Sequence, residues 1–136
     1  MRKRTALVTG AASGIGLAIC SDLAQRGYAV WLSDSQYEAA EGAAKNLRDQ
    51  GFAVNALKLD VTSETDIAQA VASLEAAGGY ADILVNNAGI QYVARLEDFP
   101  VDRWKLITEI LLIGPAMLSR ALLPLMRRHN FGRMIK

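Results

Sequence analysis

Short apolar segments alternate with longer amphipathic segments along most of the chain. Four apolar segments are too short for helices and are bounded by glycine or polar residues, which is typical of buried strands; they cover residues 6–8, 28–32, 53–59 and 83–85. A further segment from Gly132 to Lys136 predicts the opening of a fifth strand.

The segments between these strands have the apolar spacing of helices. They cover residues 15–27, 36–50 and 63–77, and a long one runs from about residue 101 to residue 129. Pro115 and Pro124 are expected to kink or break this last helix. The regular alternation of strands and helices predicts an α/β fold, in which residues 1–136 form one Rossmann-type domain. Its doubly wound parallel sheet would be truncated at the fifth strand.

Composition narrows the class of protein further. With 136 residues, 51% of them hydrophobic, the chain has the size of one globular domain. A net charge of +1 gives no reason to expect a nucleic-acid partner. Charged residues and prolines interrupt the most apolar region, residues 106–125, so we expect no membrane span and no signal peptide. The single cysteine, Cys20, is expected to be a small core residue, which fits a cytoplasmic location.

The loop between the first strand and the first helix is rich in glycine. Gly10, Gly14 and Gly16 stand where a strand hands over to a helix, and a helix N-terminus offers free N–H groups and partial positive charge to a phosphate. Gly10 would allow the tight turn, Gly14 the approach of a pyrophosphate, and Gly16 close packing of the helix on the strand. A turn and helix cap without a ligand is the alternative interpretation.

An acidic residue follows the second strand at the spacing of a dinucleotide site. Asp34 lies roughly 20 residues after the glycine loop, where a carboxylate binds the adenosine ribose hydroxyls and repels a 2′-phosphate. The segment between Gly27 and Glu41 contains no Lys or Arg to bind such a phosphate. The sequence therefore favours NAD over NADP as the cofactor. The alternative role of Asp34 is that of a turn or helix N-cap residue.

These motifs resemble the short-chain dehydrogenase/reductase family, over residues 5–136 and about the N-terminal half of a typical member. The resemblance rests on three motifs in order, namely the segment from Thr9 to Gly16, the pair Asp60-Val61, and Asn86-Asn87-Ala88-Gly89. It implies that the acid-aliphatic pair contacts adenine and that the asparagine segment lies beside the nicotinamide ribose. The predicted cofactor-binding residues are Gly10, Ser13, Gly14, Ile15, Gly16, Asp34, Asp60, Val61, Asn87, Ala88 and Gly89.

A narrower resemblance begins in the segment after the fourth strand. Residues 87–94, followed by Phe99-Pro100, are similar to NAD-dependent D-3-hydroxybutyrate dehydrogenases. In those enzymes the glutamine that matches Gln91 helps to hold the substrate carboxylate, which an amide can do by donating N–H. Tyr92 stands where they commonly have histidine. The resemblance implies hydride transfer between NAD and a short 3-hydroxy acid, and a homo-oligomer in the full-length form.

The chain departs from the family pattern at its catalytic residues. The family uses Asn, Ser, Tyr and Lys, and the asparagine position corresponds to Leu111 here. None of the four tyrosines has a lysine four residues later, and the region that carries Ser and Tyr-x-x-x-Lys in the family is absent. We therefore predict no catalytic residue in residues 1–136 and no metal site. The alternatives to an N-terminal enzyme fragment are a non-catalytic NAD-binding module and a half-enzyme completed by a second chain.

Overall fold

The computed structural model describes residues 2–136. The strands are β1 (Thr5–Val8), β2 (Ala29–Asp34), β3 (Val54–Lys58), β4 (Ile83–Val85) and β5 (Arg133–Ile135). The helices are α1 (Gly14–Gln25), α2 (Tyr37–Asp49), α3 (Glu64–Ala76), α4 (Val101–Thr108) and α5 (Gly114–Arg128). A short 3₁₀ turn (Leu96–Asp98) precedes α4, and a π-helical segment (Glu109–Ile113) joins α4 to α5. The predicted elements are confirmed, with ends that differ by a few residues.

All five strands are parallel and form one sheet in the order β3-β2-β1-β4-β5. Along the chain, β2 pairs with one side of β1, and β3 pairs with the far side of β2. β4 then pairs with the other side of β1. The carboxyl ends of β1 and β4 therefore diverge into different crossovers, which opens a crevice at this edge of the sheet. The predicted doubly wound parallel sheet is confirmed.

The sheet is covered on both faces, as a parallel sheet requires. One core cluster joins α1 and α2 to the sheet through side chains such as Val8, Cys20 and Leu32, which are fully buried. The other joins α3 and α5 to the opposite face through Leu84 and Leu118 among others. Burial raises the pKa of the Cys20 thiol to about 12, so the thiol stays protonated at neutral pH, as a small core residue would.

The predicted long helix forms, and the π-helical segment accommodates its first proline. Pro115 has no N–H to donate to the carbonyl of Leu111, four residues earlier, so a regular α-helix cannot close there. The wider π turn lies at this point, and the Leu111 carbonyl accepts a hydrogen bond from Lys136 Nζ instead. Pro124 lies inside α5 without ending the helix. The helix therefore continues past both prolines.

This continuous helix has the predicted length, but its apolar character is stronger than the sequence interpretation allowed. Residues Val101–Arg128 reach a mean hydropathy of 1.7 over 18 residues, enough by length and composition alone for a membrane span. The charged residues and prolines therefore do not keep this helix below the length and hydropathy of a membrane span, but a single helix that reaches them is weak evidence for one, since core helices do so too. One flank packs into the core through Leu118, Leu122 and Leu125, as in a core helix. The other flank exposes Trp104 and Leu112.

The loop after β1 is held against the loop after β4. Thr9 is buried, and its Oγ1 accepts hydrogen bonds from the backbone N–H groups of Asn87 and Ala88, both at 3.0 Å. The Asn87 side-chain amide donates to the carbonyls of Thr9 and Gly10, at 3.2 and 3.1 Å. These four bonds fix the distance between the two crossovers that leave β1 and β4.

Gly16 lies where this junction leaves no room for a side chain. A Cβ at Gly16 would stand 2.4 Å from the Gly10 carbonyl oxygen and 2.5 Å from Asn87 Nδ2. The sequence interpretation gave Gly16 a packing role against the strand. In the structure Gly16 does allow close packing, but its neighbours are the glycine loop and the loop after β4 rather than the strand.

At the opposite edge, formed by the amino ends of β1 and β4, the buried carboxylate of Asp82 pairs with the partly exposed guanidinium of Arg2. Arg2 donates from both guanidinium nitrogens to the carboxylate of Asp82, at 2.7 and 2.9 Å, and the Thr5 N–H donates to the same carboxylate at 2.7 Å. Burial of Asp82 opposes its ionisation, but the hydrogen bonds from Arg2 and Thr5 outweigh it and lower the pKa of the carboxyl group. Arg2 also lies over the Tyr80 ring, which packs against His129.

We predict that Asp82→Asn lowers the free energy of unfolding by about 1.5–3 kcal/mol at pH 7, because charge-assisted hydrogen bonds to a buried group are lost. The lowered pKa of Asp82 means that its stabilisation is present above the carboxyl's unfolded pKa and disappears as pH falls through the folded value. Urea unfolding at several pH values measures both effects.

The matched control for this change is Asp22→Asn, which removes an exposed acid whose partner Arg26 is also exposed. That variant is expected to unfold almost like the parent at every pH. A difference between parent and Asp82→Asn that stays constant down to strongly acidic pH would contradict the ionised role of Asp82.

We predict that Gly16→Ala destabilises the domain by about 1–3 kcal/mol, because the added methyl group forces the two loops apart. Gly42→Ala is the control, since Gly42 lies in α2 and a Cβ there meets nothing within 4 Å. Alanine at that helical position is expected to stabilise by about 0.5–1 kcal/mol. Thermal unfolding of the two variants measures both changes, and equal effects of the two substitutions would refute the close contact at Gly16.

Candidate functional site

A cavity of about 290 Å³ lies at the carboxyl edge of the sheet, beside the junction between β1 and β4. It is lined by the ends of four strands, the loops that follow them and one side chain of the long helix. The lining residues are Gly10, Ser13, Asp34, Ser35, Leu59, Asp60, Val61, Asn87, Ala88, Gly89, Ile90 and Ile110. Open α/β sheets bind ligands in a crevice of this kind, where the strand order reverses.

Most of the predicted site residues meet at this cavity. Eight of the eleven predicted cofactor contacts line it, and the exceptions are Gly14, Ile15 and Gly16. Gly14 has a positive φ of 59°, and a Cβ there would meet nothing within 4 Å, so the backbone at the start of α1 is open to a neighbouring group. Ile15 is 74% exposed at the surface. Gly16 is buried in the junction described above and supports the loop from below.

The glycine loop has the conformation that a phosphate site needs. Gly10 has a positive φ of 60°, and a Cβ there would lie 2.8 Å from the Ala88 Cα, so only glycine fits this turn. The Ser13 side chain makes no capping bond to α1, so it does not occupy the first N–H groups of the helix. These groups at the α1 N-terminus would suit the negative charge of a pyrophosphate.

Asp34 lines the cavity and also organises the loops around it. Its Oδ2 accepts a hydrogen bond from the Ala12 N–H at 3.1 Å, and its Oδ1 accepts one from the Gln36 N–H at 3.0 Å. The turn role considered from the sequence is therefore real, because the second bond closes a turn before α2. Each carboxylate oxygen can accept a further hydrogen bond, so the turn role and a role in ligand binding are compatible.

Asp60, which follows β3, likewise lines the cavity and stabilises a turn. Its Oδ1 accepts hydrogen bonds from the Thr62 N–H at 2.9 Å and from the Thr62 hydroxyl at 2.7 Å. Both bonds use the same oxygen, so Oδ2 keeps its capacity to accept from a ligand amine. Val61 provides an apolar surface next to it. The backbone of Asp60 is held by the buried carboxylate of Asp66, which accepts its N–H at 2.9 Å.

The described residues therefore fit a dinucleotide. Along the cavity, the glycine loop offers N–H groups, Asp34 and Asp60 offer carboxylates, and Val61, Ile90 and Ile110 offer apolar contacts. Among the lining residues that the structure describes, none is Lys or Arg. No cluster of metal-ligating side chains was found in the described part of the chain.

The predicted substrate contact lies apart from this cavity lining. Gln91 is exposed on the loop after β4, two residues beyond Gly89. The neighbouring Tyr92 ring meets Phe99 edge to face at 5.3 Å, and Phe99 meets Trp104 in the same way at 5.4 Å. The aromatic contacts connect this loop to α4.

Leu111, which the family resemblance aligns with the family's asparagine, lies beside Gly89 of the asparagine segment. A Cβ added at Gly89 would stand 3.2 Å from Leu111 Cδ2. The leucine therefore presents a methyl group to Gly89, and unlike an amide it can neither donate nor accept a hydrogen bond there. Its backbone carbonyl is the polar group that remains, and Lys136 Nζ binds it.

Sequence reasoning missed five residues that build the site. Three of them, Ser35, Leu59 and Ile90, line the cavity. Each is next in sequence to a predicted site residue, and this adjacency was the signal that could have identified it. Ile110 comes from the long helix, far away along the chain, and nothing in its local pattern separated it from the core. Thr9 was part of the glycine motif, but its part in joining the β1 and β4 loops depends on contacts between distant segments.

Comparison with known proteins identifies a family for the chain. The family described as short chain dehydrogenase matches residues 4–136. An uncharacterized oxidoreductase of Bacillus subtilis is 44% identical over 135 residues, which cover 99% of this chain and 52% of the relative. A D-beta-hydroxybutyrate dehydrogenase of Cupriavidus necator is 39% identical over 132 residues, which cover 97% of this chain and 51% of the relative.

A solved structure has the same fold. The gluconate 5-dehydrogenase of Burkholderia cenocepacia, in complex with NADP and tartrate, superposes with a TM-score of 0.91 at 36% identity. The match covers 98% of this chain and 52% of that one. The chain thus spans about half the length of the relatives that it matches. From its motifs, its sheet topology and these matches, the chain belongs to the short-chain dehydrogenase family of oxidoreductases.

Proposed function

We propose that this chain is the cofactor-binding half of an NAD-dependent oxidoreductase. The observation that carries the proposal is Asp34, which lines the cavity close to the glycine loop, among lining residues that include no cation. A carboxylate at this place favours free ribose hydroxyls and repels a 2′-phosphate. The related structure from Burkholderia was solved with NADP, so the choice of NAD rests on the residues of this chain.

Different residues of the chain bind different parts of the cofactor in this proposal. NAD, when bound, supplies the hydride acceptor of an alcohol oxidation. The N–H groups at the start of α1 bind the pyrophosphate, Asp34 the adenosine ribose, and Asp60 with Val61 the adenine. Asn87, Ala88 and Gly89 form the wall beside the nicotinamide ribose. None of the described tyrosines has a lysine four residues later, so the acid-base step is assigned to residues beyond this half.

The substrate of the whole enzyme is proposed to be a short 3-hydroxy acid. Gln91 supports this, because its amide can donate a hydrogen bond to a carboxylate and because it follows the nicotinamide wall directly. The 39% identity to the Cupriavidus D-beta-hydroxybutyrate dehydrogenase supports the same class. The neutral amide of Gln91 would then bind the carboxylate of the substrate. Residues of the second half of the enzyme would act on the reacting carbon.

We further propose a cytoplasmic homo-oligomer without membrane or nucleic-acid partners for the whole enzyme. The exposed flank of the α4-to-α5 helix carries Trp104, Leu112 and Ile113, which are 56%, 64% and 40% exposed. Apolar side chains in such a row are typical of surfaces that another subunit covers. A second subunit would also account for the high hydropathy of this helix without a bilayer.

We predict that the purified chain binds NAD and that Asp34→Ala weakens NAD binding about tenfold, with a smaller effect on NADP. A hydrogen bond from a ribose hydroxyl to a carboxylate is worth about 1.5 kcal/mol, which corresponds to this factor. Calorimetric titration with each cofactor measures the two affinities. Asp49→Ala, at an exposed acid of α2, is the matched control and should change neither.

Equal losses for NAD and NADP in Asp34→Ala would indicate that the variant only loosens the loop through the lost Ala12 and Gln36 bonds. Adding D-3-hydroxybutyrate to the NAD complex should produce no NADH absorbance. Turnover by this chain alone would contradict the assignment of the acid-base residues to the other half.

We predict that Gln91→Glu raises KM for D-3-hydroxybutyrate at least tenfold in a chimaera that joins residues 1–136 to the second half of the Cupriavidus enzyme. The substitution keeps the size of the side chain and places a negative charge against the substrate carboxylate. Gln69→Glu, at an exposed position of α3, is the control and should leave KM unchanged. Steady-state kinetics of the two variants provide the measurement, and an unchanged KM in Gln91→Glu would remove Gln91 from the substrate site.

A further inference from the structure

The π-helical segment between α4 and α5 ends at a glycine that closes it. The backbone N–H of Gly114 donates to the carbonyl of Glu109, five residues earlier, which is the hydrogen bond of a π turn. Gly114 is buried. A Cβ at Gly114 would stand 2.9 Å from the Glu109 carbonyl oxygen, so the turn itself leaves no room for a side chain at this position.

The same glycine faces the loop that follows β3. A Cβ at Gly114 would stand 2.7 Å from the carbonyl oxygen of Val61 and 3.0 Å from its Cγ2. Val61 is itself buried. A contact this short with a backbone oxygen cannot be relieved by rotating a side chain, so a larger residue at position 114 would force one of the two segments to move. Gly114 thus sets the closest approach between the long helix and this loop.

The helix is held more firmly than the loop. From Gly114, α5 continues into the core, where Leu118 and Leu122 are fully buried. The loop after β3 reaches the surface instead, because Thr62 is exposed directly after Val61. We therefore expect a side chain at position 114 to displace the loop by several tenths of an ångström and to leave the helix in place.

A displacement of Val61 is passed on to the carboxylate of Asp60. The N–H and the hydroxyl of Thr62 both donate to Asp60 Oδ1, at 2.9 and 2.7 Å, so residues 60–62 form one bonded turn. The N–H of Ser63 donates to the Asp60 carbonyl at 3.0 Å and extends this unit toward α3. Asp60 and Val61 both line the cavity. The packing at Gly114 therefore decides where the Asp60 carboxylate lies.

The other walls of the cavity are held by separate contacts. Asp34 accepts hydrogen bonds from the N–H groups of Ala12 and Gln36. The loop after β4 is bonded to Thr9 through the N–H of Asn87. These bonds join other segments, so a shift of residues 60–62 leaves them in place. A change at Gly114 should consequently affect one end of the cavity and spare the rest.

We propose that Gly114 is a positioning residue for the recognition of adenine. It acts through Val61: the missing side chain lets the loop after β3 pack on the π turn, and this packing places the Asp60 carboxylate where it accepts a hydrogen bond from the exocyclic amine. The long helix thereby determines how sharply the cavity distinguishes adenine from a purine without this amine. The inference rests on the proposed function, in which Asp60 and Val61 bind the adenine.

The test compares NAD with deamino-NAD, in which an oxygen replaces the exocyclic amine of adenine. A carboxylate cannot accept a hydrogen bond from this oxygen, so the parent chain is expected to bind NAD about tenfold more tightly than deamino-NAD. In Gly114→Ala the affinity for NAD should fall about tenfold, and that for deamino-NAD by no more than about threefold, because the hydrogen bond to the amine is lost. Calorimetric titration measures both affinities.

The matched control is Gly42→Ala, the same substitution in α2 at a position where a Cβ meets nothing within 4 Å. It should change neither affinity. Equal losses for the two dinucleotides in Gly114→Ala would overturn the proposal, since a general loosening of the fold weakens both. Unchanged affinities in that variant would overturn it as well.

The amide resonances of the chain without cofactor test the contact itself. Gly114→Ala should shift the resonances of Val61 and Thr62 and leave those of Ala12 and Gln36 in place. The absence of these shifts would overturn the proposal whatever the affinities are. A parent chain that binds neither dinucleotide would refute the proposed function, and the shifts would then still show whether Gly114 positions the loop.

A second pair of variants applies if Gly114→Ala does not fold. Val61→Ala removes the methyl group beside position 114 and gives the added Cβ more room. The double variant is then compared with Val61→Ala alone, as in a double-mutant cycle. It should show the weaker preference for NAD over deamino-NAD, because the backbone carbonyl of residue 61 is still displaced. An equal preference in the two variants would overturn the proposal.

Discussion

The junction between the loops after β1 and β4 is the constraint on which the site depends. Thr9 Oγ1 accepts from two backbone N–H groups of the β4 loop, and the Asn87 amide returns two hydrogen bonds to the β1 loop. The two loops leave adjacent strands in different directions, so without these bonds they would be free to separate. The glycine at position 16 lies beneath the junction and allows its close approach. The two loops that line the cavity are therefore held at a fixed distance from each other.

The two carboxylates at this edge show how one residue can serve both the fold and the ligand. Asp34 uses one hydrogen bond to hold the glycine loop and one to close a turn, yet it still lines the cavity. Asp60 uses one oxygen for its turn and keeps the other. A carboxylate held in this way loses little conformational entropy when a ligand binds, which favours affinity for the ligand that it fits. The structural and functional interpretations of such residues are thus not competitors.

The amino ends of β1 and β4 and the edge strand β5 differ in how far their side chains are covered. The edge with Asp82 is closed by Arg2 and Thr5, and the core on both faces of β1 and β2 is filled. The β5 edge instead exposes Met134 and Ile135. The chain matches about half the length of the relatives compared above. The cavity lies at the carboxyl ends of β1 to β4, and residues of β5 do not line it.

The sequence alone determined the elements, their parallel arrangement and eight of the cavity-lining residues, because apolar periodicity, glycine positions and strand ends are local properties. It could not determine the partners of Thr9, the entry of Ile110 into the cavity or the position of Gly16 against Asn87, which all join segments far apart along the chain. The π turn has a local cause in Pro115, but the partner of its freed Leu111 carbonyl, Lys136, was decided by the tertiary structure. Local pattern fixes which backbone forms each element, whereas contacts across the sheet decide which side chains meet.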